Sequence, residues 1–255
     1  MILSSIASLI DFKYIFYDFW ELEGDPRIGD RLFFQGGPWT TWSLIAGYIY
    51  FVKWLGPGLM KDREPYQLRT PMIVYNFTMI LVNAWFFYQI FWVFRFGLDL
   101  NLATFVRPDP RDTGPLAMSA VQLGYLFFLS KLVDLIETVF FVLRKKHNQI
   151  SNLHVYHHSA VPFLVHLSLK VCPVGGPGTL FPLLNTIVHM VMYAYYGLSA
   201  LGPSVQKYLW WKRYITQIQL IQFIIFSIYS LIFMCFQQDF PIIFTYMGLC
   251  QVVVN

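Results

Sequence analysis

The chain has 255 residues, of which 56% are hydrophobic and only 13% are charged, and its formal net charge is +4. A soluble domain carries about 25% charged residues, so this composition excludes an ordinary soluble globular protein. We therefore predict a polytopic membrane protein, and we expect no nucleic acid partner.

Apolar stretches that can form membrane helices follow one another along the chain, which predicts an all-α fold in one domain, 1–255. We predict six spans separated by polar or Pro- and Gly-rich segments: 40–55, 71–94, 116–143, about 150–171, 180–198 and 214–236. A seventh begins at 241 and is shorter than the about 20 residues that cross a bilayer, so we expect it to be truncated at residue 255.

Residues 1–38 precede these spans and mix charged with aromatic side chains. We expect a short interfacial helix followed by a loop, with a turn at 25–27. No basic region followed by an apolar one opens the chain, so no cleaved signal peptide is expected.

The positions of lysine and arginine in the short loops predict the orientation of the bundle. The basic loops 61–69, 144–146 and 207–213 fall on one side of the membrane if the spans alternate. The other side carries 107–112, where two arginines are offset by aspartates. Because positive loops stay in the cytosol, we expect the basic side to be cytosolic and the N-terminus to lie across the membrane.

Three of the six histidines fall within five positions at the start of the span 150–171. On a helix, His154, His157 and His158 stand at i, i+3 and i+4, so they project from one face. Ionisable side chains are expensive to bury in a membrane and usually mark a functional site. The alternative is a set of structural histidines, which requires three separate partners on one face.

The span 116–143 carries Lys131, Asp134 and Glu137 in an otherwise apolar sequence. Lys131 and Asp134 are spaced to pair along one helix face. Either acid could also orient a histidine. The alternative is an ion pair that only fixes helix packing.

The spans 180–198 and 214–236 each carry one polar stripe. Asn185, His189 and Tyr193 are spaced by four residues, and this stripe can meet the histidine face across the bundle. Gln219 and Gln222 follow Thr216 at i+3 and i+6, and they can join helices by hydrogen bonds or contact a substrate. Both interpretations of the glutamines, helix joining and substrate contact, stay open.

Two basic segments at the predicted cytosolic side could recognise a phosphorylated ligand. Lys207, Lys212 and Arg213 alternate with aromatic residues, and Lys145 and Lys146 follow the span 116–143. Anionic lipid headgroups would attract the same cations, so both ligands remain possible here.

The histidines suggest two kinds of chemistry. Membrane di-iron desaturases and hydroxylases use histidine boxes but need more histidines than the six present here. Zinc would need three or four ligands, which His154, His157, His158 and His189 could supply. Without a metal, neutral imidazole is a general base or a nucleophile, and the adjacent His157 and His158 could divide these roles. We expect no metal and no cofactor.

Four ordered motifs resemble the ELO family of very-long-chain fatty acid elongases. Residues 131–138 resemble its K-x-x-E-x-x-D-T box with the two acids exchanged, and 154–158 match its histidine box H-V-Y-H-H. Residues 189–196 match H-x-x-M-Y-x-Y-Y, and 216–222 match T-x-x-Q-x-x-Q. The likeness covers most of the chain and is closest to the branch that acts on saturated and monounsaturated chains.

The resemblance implies a very-long-chain 3-oxoacyl-CoA synthase of the endoplasmic reticulum membrane, with a luminal N-terminus and a cytosolic C-terminus. Acyl-CoA and malonyl-CoA would give 3-oxoacyl-CoA, CoA and CO2. Seven membrane helices are implied, six of them forming an inverted barrel around an acyl tunnel. The implied partners are membrane lipid and the reductases and dehydratase of the elongation cycle, and a homodimer is a possible assembly.

The resemblance also implies roles for individual residues. His157 would take the acyl group as an acyl-imidazole, and His189 would position or polarise the second substrate. Asn185 and His154 are candidate donors to the oxyanions. One acid of 131–138 would hold a histidine tautomer, although the exchange of the acids leaves this pairing open.

Overall fold

The computed structural model describes residues 13–94, 105–174 and 176–240. The regular secondary structure of the described residues is helical apart from one isolated bridge between Val106 and Gln238. The seven longer helices are α1 Trp39–Tyr50, α2 Arg69–Val93, α3 Pro115–Val133, α4 Leu135–Leu143, α5 Asn152–Val171, α6 Leu180–Ala200 and α7 Lys212–Phe236. The shorter segments are Tyr14–Asp18, Phe19–Leu22, Pro26–Gly29, Phe51–Leu55, Gly56–Met60, His147–Gln149, Gly176–Thr179 and Pro203–Gln206.

The longer helices form an arc in which each packs on the next. Helix α6 packs between α7 and α2, α3 follows α2, and α5 packs between α3 and α1. Helices α5 and α7 face each other across the interior, where the rings of His157 and Phe223 are 5.8 Å apart. Among the described helices, α2 and α7 have the length and apolar composition needed to cross a membrane. The seventh span predicted from 241 lies outside the described residues.

Helix α5 begins where the sequence supplies a cap. The Ser151 hydroxyl accepts a hydrogen bond from the backbone N–H of His154 at 3.1 Å, which satisfies one of the unpaired N–H groups at the helix start. The helix then continues to Val171 and includes Pro162. The cap therefore fixes the histidines in the first two turns of a long helix.

The predicted span 116–143 is not one continuous helix, which corrects the sequence interpretation. The helix is interrupted at Asp134, whose N–H donates to the carbonyl of Ser130 while its own carbonyl accepts from the N–H of Glu137. The second bond spans three residues, so the turn is tighter than an α-helical one. The break falls among the buried charged side chains of this segment.

The first predicted span also ends differently from the prediction. The helical backbone does not stop at residue 55 but passes through Phe51–Leu55 and Gly56–Met60. Pro57 stands in the first turn of Gly56–Met60, where a missing N–H costs little. Gly56 lies so close to Val142 that a Cβ atom would come within 2.7 Å of its Cγ1. The Gly-Pro-Gly sequence therefore marks a close helix contact.

The N-terminal segment is packed into the protein, whereas the sequence predicted an interfacial helix and a loop. Phe19 and Phe34 are each only 1% exposed. Asp25 caps Pro26–Gly29, and its Oδ2 lies 2.6 Å from Arg27 Nη2 in a buried ion pair. The N–H of Asp25 donates to the carbonyl of Lys170 at 2.7 Å, which ties the segment to the end of α5. Mixed composition hid this packing because its apolar residues follow no single period.

The loops collect at two ends of the bundle, as the alternation of spans predicts. At one end, Lys145 Nζ donates to the carbonyl of Lys61, and the Arg69 guanidinium donates to the carbonyls of Ala200 and Leu201. At the other end, the Arg107 guanidinium donates to the carbonyls of Glu23 and Val171, and Arg27 donates to that of Asp112. We call the first of these two ends, which carries the predicted basic loops, the basic end.

Candidate active site

Asp134 is the centre of a buried polar cluster between α3 and α6. Its Oδ2 lies 2.8 Å from Lys131 Nζ, and its Oδ1 accepts a hydrogen bond from the Tyr193 hydroxyl at 2.8 Å. His189 Nδ1 lies 3.7 Å from Oδ2. The side chains of Lys131 and Asp134 are only 2% and 5% exposed, so this ion pair is withdrawn from solvent.

The polar stripe of α6 faces this ion pair. Lys131 Nζ also donates to Asn185 Oδ1 at 2.9 Å, and it lies 4.9 Å from the ring centroid of Phe127. Asn185, His189 and Tyr193 therefore all approach the charged residues of the 116–143 segment. Because Asn185 accepts through Oδ1, its Nδ2 donors remain available for another group.

The histidine box lies beside this cluster and is close to the second acid, Glu137. The rings of His154 and His158 are 4.2 Å apart, and those of His157 and His158 are 5.8 Å apart. His158 Nε2 lies 4.0 Å from Glu137 Oε2. Each acid thus approaches a different histidine, since Asp134 is the neighbour of His189. Neither contact is a hydrogen bond, so which acid holds a histidine tautomer stays a prediction.

His154 is held by a side chain to which the sequence gave no role. Its Nε2 is 2.9 Å from Thr138 Oγ1, and Thr138 is in turn 2.9 Å from the hydroxyl of Tyr48. Tyr48 belongs to no motif, and no sequence signal separates it from the other tyrosines among the 16 in the chain. Only the packing of α1 on α4 brings it to the histidine box.

His157 is the least tethered member of the box. Its ring contacts Phe223 of α7 and is close enough to His189 for the two rings to interact electrostatically. No hydrogen bond from the described part of the chain engages its ring nitrogens. The structure therefore places His157 near His189.

An apolar cavity lies one helical turn beyond the histidines, on the side of the opposite end of the bundle. Its volume is about 130 Å³. Val161, one helical turn beyond His157, and Phe127, the ring beneath Lys131, both line it. Other members of its wall are Phe86, Leu123, Phe181 and Phe226. The cavity thus begins next to the polar cluster, at Val161 and Phe127, and it is bounded by five helices.

The glutamine stripe of α7 only partly joins the site. Gln222 is buried at 5% exposure, and Gln219 Nε2 lies 3.6 Å from Met192 Sδ of α6. Thr216 is exposed. These contacts fit a role in joining α6 and α7, and within the described residues they show no bond from either glutamine to a histidine.

The five predicted CoA-binding cations lie outside the buried cluster. They are Lys145, Lys146, Lys207, Lys212 and Arg213. All but the half-buried Lys145 are exposed. Arg213 donates to the hydroxyl of Tyr214 at 2.9 Å, and Lys145 is engaged by the loop carbonyl described above. Their positions at the basic end leave their charges facing solvent above the site.

His166 shows that not every histidine of α5 belongs to the site. It is fully buried among the rings of Trp20, Phe34 and Phe128, and its Nε2 is 2.9 Å from the carbonyl oxygen of Phe33. This side of the helix contacts the N-terminal segment. Across the described residues, no group of three His, Cys, Asp or Glu side chains is arranged to hold a metal ion.

The fold and the site together define a helical membrane protein with a histidine, carboxylate and amine centre above an apolar cavity. The family model described as ELO: GNS1/SUR4 family matches residues 33–254. The chain is 44% identical to Very long chain fatty acid elongase 1 of Mus musculus over 208 residues, which cover 80% of this chain and 72% of that protein.

Two further relatives extend the likeness. Very long chain fatty acid elongase 7 of Rattus norvegicus is 39% identical over 217 residues, covering 84% of this chain and 74% of the relative. Very long chain fatty acid elongase 7 of Drosophila melanogaster is 38% identical over 245 residues, which cover 93% of this chain and 72% of the relative. This chain belongs to the ELO family, as its four motifs indicated.

Proposed function

We propose that this protein is the condensing enzyme of fatty acid elongation, a 3-oxoacyl-CoA synthase that joins a long-chain acyl-CoA to malonyl-CoA. The observation that carries the proposal is the partly buried histidine cluster next to an apolar cavity. The curated relatives above bear the name of very long chain fatty acid elongases. They give no support to the alternative of a desaturase or hydroxylase.

The first half of the reaction transfers the acyl group to His157. A ring nitrogen of His157 attacks the thioester carbonyl while the acyl tail occupies the cavity. The N–C bond forms, the C–S bond breaks, and the ring proton leaves with coenzyme A as its thiol. This covalent step divides a difficult condensation into two easier ones. The untethered ring of His157 suits it to this role better than His154, whose Nε2 is already engaged.

The second half joins the two carbon chains. Malonyl-CoA loses CO2, and its enolate attacks the acyl carbon. The new C–C bond displaces the imidazole, which recovers a proton. The negative charge that develops on oxygen needs donors that are already in place. The Nδ2 group of Asn185 and the ring of His189 lie beside Lys131 and are our candidates, with His154 as a further donor.

The two acids support this centre in different ways. Asp134 neutralises Lys131, orients Tyr193 and lies beside His189, so it fixes the groups that would receive the second substrate. Glu137 lies beside His158. We assign to Glu137 the control of the His158 ring, which would act as the proton acceptor next to the nucleophile.

The two ends of the bundle suggest an orientation in the membrane. We assign the basic end to the cytosol of the endoplasmic reticulum, where CoA esters arrive, and the end that carries the N-terminal segment to the lumen. The cations of the basic end would bind CoA phosphates. The arc of α7, α6, α2, α3, α5 and α1 supports the six-helix tunnel, and the products would pass to the reductases and the dehydratase.

The test is the covalent intermediate. Purified protein is incubated with a long-chain acyl-CoA without malonyl-CoA, and intact mass spectrometry should show an increase of one acyl group. Addition of malonyl-CoA should discharge the adduct as a product two carbons longer. In His157→Ala the adduct should be absent, whereas His147→Ala, in an exposed loop, should retain it. An adduct that persists unchanged in His157→Ala would show that the nucleophile is another residue.

A further inference from the structure

A chain of three hydrogen-bonding side chains runs from α1 to the histidine box. The hydroxyl of Tyr48 lies 2.9 Å from Thr138 Oγ1, which lies 2.9 Å from His154 Nε2. Thr138 is fully buried and Tyr48 is 8% exposed. Water therefore has little access to the middle of this chain, and its protons must be placed among the three side chains.

The number of available protons favours one direction of hydrogen-bond donation, from Tyr48 through Thr138 to His154. The Tyr48 hydroxyl has one proton, and within the described residues its only acceptor is Thr138. If Tyr48 donates to Thr138, the hydroxyl proton of Thr138 is free to donate to His154 Nε2. Every hydroxyl proton is then used. In the opposite direction the proton of Tyr48 would remain buried without an acceptor, which is the more costly arrangement.

This direction fixes the state of His154. With Nε2 accepting from Thr138, the neutral ring carries its proton on Nδ1. The ring of His154 lies 4.2 Å from that of His158, which in turn lies beside Glu137 and His157. An orientation imposed on His154 is therefore passed by direct ring contact to the next member of the box.

We propose that Tyr48 is a positioning residue of this active site: through Thr138 it holds His154 in the Nδ1–H tautomer and fixes the ring against His158. This assignment rests on the proposed function, because the proposed function supplies the reaction of the site. It makes His154 a support for the box and leaves the acyl group to His157. The hydroxyl carries this role, since the ring of Tyr48 packs among Val52, Leu135 and Val155 by itself.

The first test measures the relay without any turnover. Diethyl pyrocarbonate modifies the free lone pair of a neutral imidazole, and peptide mass spectrometry gives the rate at each histidine. His154 should react slowly in the wild-type protein. The rate should rise about two- to tenfold in Thr138→Val, the range expected for one lost hydrogen bond to the ring. The rise should be smaller in Tyr48→Phe, where Thr138 keeps its hydroxyl but loses the bond that directs its proton. Thr138→Ser keeps the hydroxyl and should remain slow, and exposed His147 is the internal reference.

Equal rates at His154 in all four proteins would overturn the relay. The relay would also be overturned if His154 reacted as fast in Thr138→Ser as in Thr138→Val, because the hydroxyl would then have no part in protecting the ring. Tyr48→Phe and Thr138→Val both preserve most of the packing volume. A thermal unfolding curve close to that of the wild type identifies the variants that report on the hydrogen bonds.

The second test uses elongation of acyl-CoA with labelled malonyl-CoA. Tyr48→Phe should lower kcat about two- to tenfold and leave KM for both substrates unchanged. The double variant with Thr138→Val should be no slower than Thr138→Val alone, because the two residues act in one chain. Thr138→Ser should restore most of the activity. Tyr50→Phe, at an exposed position of the same helix, should match the wild type.

The outcomes separate the two proposals. If the wild type extends no acyl-CoA, the proposed function fails, and the modification rates at His154 still decide the relay. If the wild type elongates and Tyr48→Phe has the same kcat, the relay fails while the proposed function stands. Multiplicative losses in the double variant would also exclude a single chain, since they would mean that Tyr48 and Thr138 act independently.

Discussion

Asp134 has more polar partners than any other side chain of the site described above. One carboxylate carries the ion pair to Lys131, the hydrogen bond from Tyr193 and the approach of His189. A buried ion pair adds little to stability as a whole, but loss of one partner leaves an uncompensated buried charge. The pair can therefore serve catalysis, packing or both, and only paired substitutions distinguish these roles.

We expect Asp134→Asn to lower stability by about 3–5 kcal/mol, because Lys131 would be left charged and buried. The double variant Lys131→Met/Asp134→Asn should recover most of this loss and still show no elongation. Thermal unfolding in detergent and a malonyl-CoA incorporation assay measure the two effects. Asp62→Asn, at an exposed loop position, is the control. A double variant that regains activity would mean that the ion pair only fixes helix packing.

At the scale of single elements, α1 and its extension show how small residues set helix contacts. The backbone remains helical from Trp39 to Met60, although the sequence Gly-Pro-Gly at 56–58 is typical of a helix end. Gly56 is used at the contact with α4, where a Cβ atom would also lie 2.9 Å from the carbonyl oxygen of Phe51. Gly47 on the same helical segment has open space around it.

These two glycines predict substitutions of opposite sign. Gly56→Ala should destabilise the protein by about 1–3 kcal/mol, because the contact with Val142 and a backbone carbonyl cannot relax freely. Gly47→Ala should stabilise it by about 0.5–1 kcal/mol, because alanine loses less backbone entropy in a helix. Thermal unfolding in one detergent gives both values. Equal effects at the two positions would mean that the segment Gly56–Met60 and α4 are not in close contact.

At the scale of the whole molecule, polarity is divided along the bundle. The basic end carries exposed cations, the histidine and carboxylate cluster follows, and the apolar cavity continues beyond it. At the other end the N-terminal segment packs on α5 through Phe19, Trp20 and the Asp25 backbone. A substrate with a charged head and a long apolar tail would fit this sequence of environments in one direction only.

This division predicts how the basic end contributes to binding. Lys207→Ala and Arg213→Ala should each raise KM for acyl-CoA about two- to fivefold with little change in kcat, because a solvated cation contributes roughly 0.2–1 kcal/mol to an ionic contact. The increase should diminish at high salt, where screening weakens the contact. Arg111→Ala, at the opposite end, is the control. Equal KM values in all variants and the wild type would exclude phosphate binding by this loop.

The sequence by itself determined the class of protein, the order of its helices and most of the polar residues of the site. A long, continuous apolar span can satisfy its backbone hydrogen bonds within itself only as a helix, so composition and periodicity are sufficient to predict these helices. The histidine box, the 131–138 segment and the polar stripe of α6 were evident because ionisable side chains are rare in such spans. Their spacing also predicted the ion pair of Lys131 with Asp134.

Only the tertiary structure decided which groups meet. Periodicity describes one helix at a time, so it could not show that Asp134 approaches His189 while Glu137 approaches His158. It could not distinguish Tyr48 from other apolar-face tyrosines, because the contact with Thr138 depends on how α1 packs against α4. The burial of the N-terminal segment and the helical path through Gly56 have the same origin. Each is decided by a neighbouring element, and no local pattern encodes that neighbour.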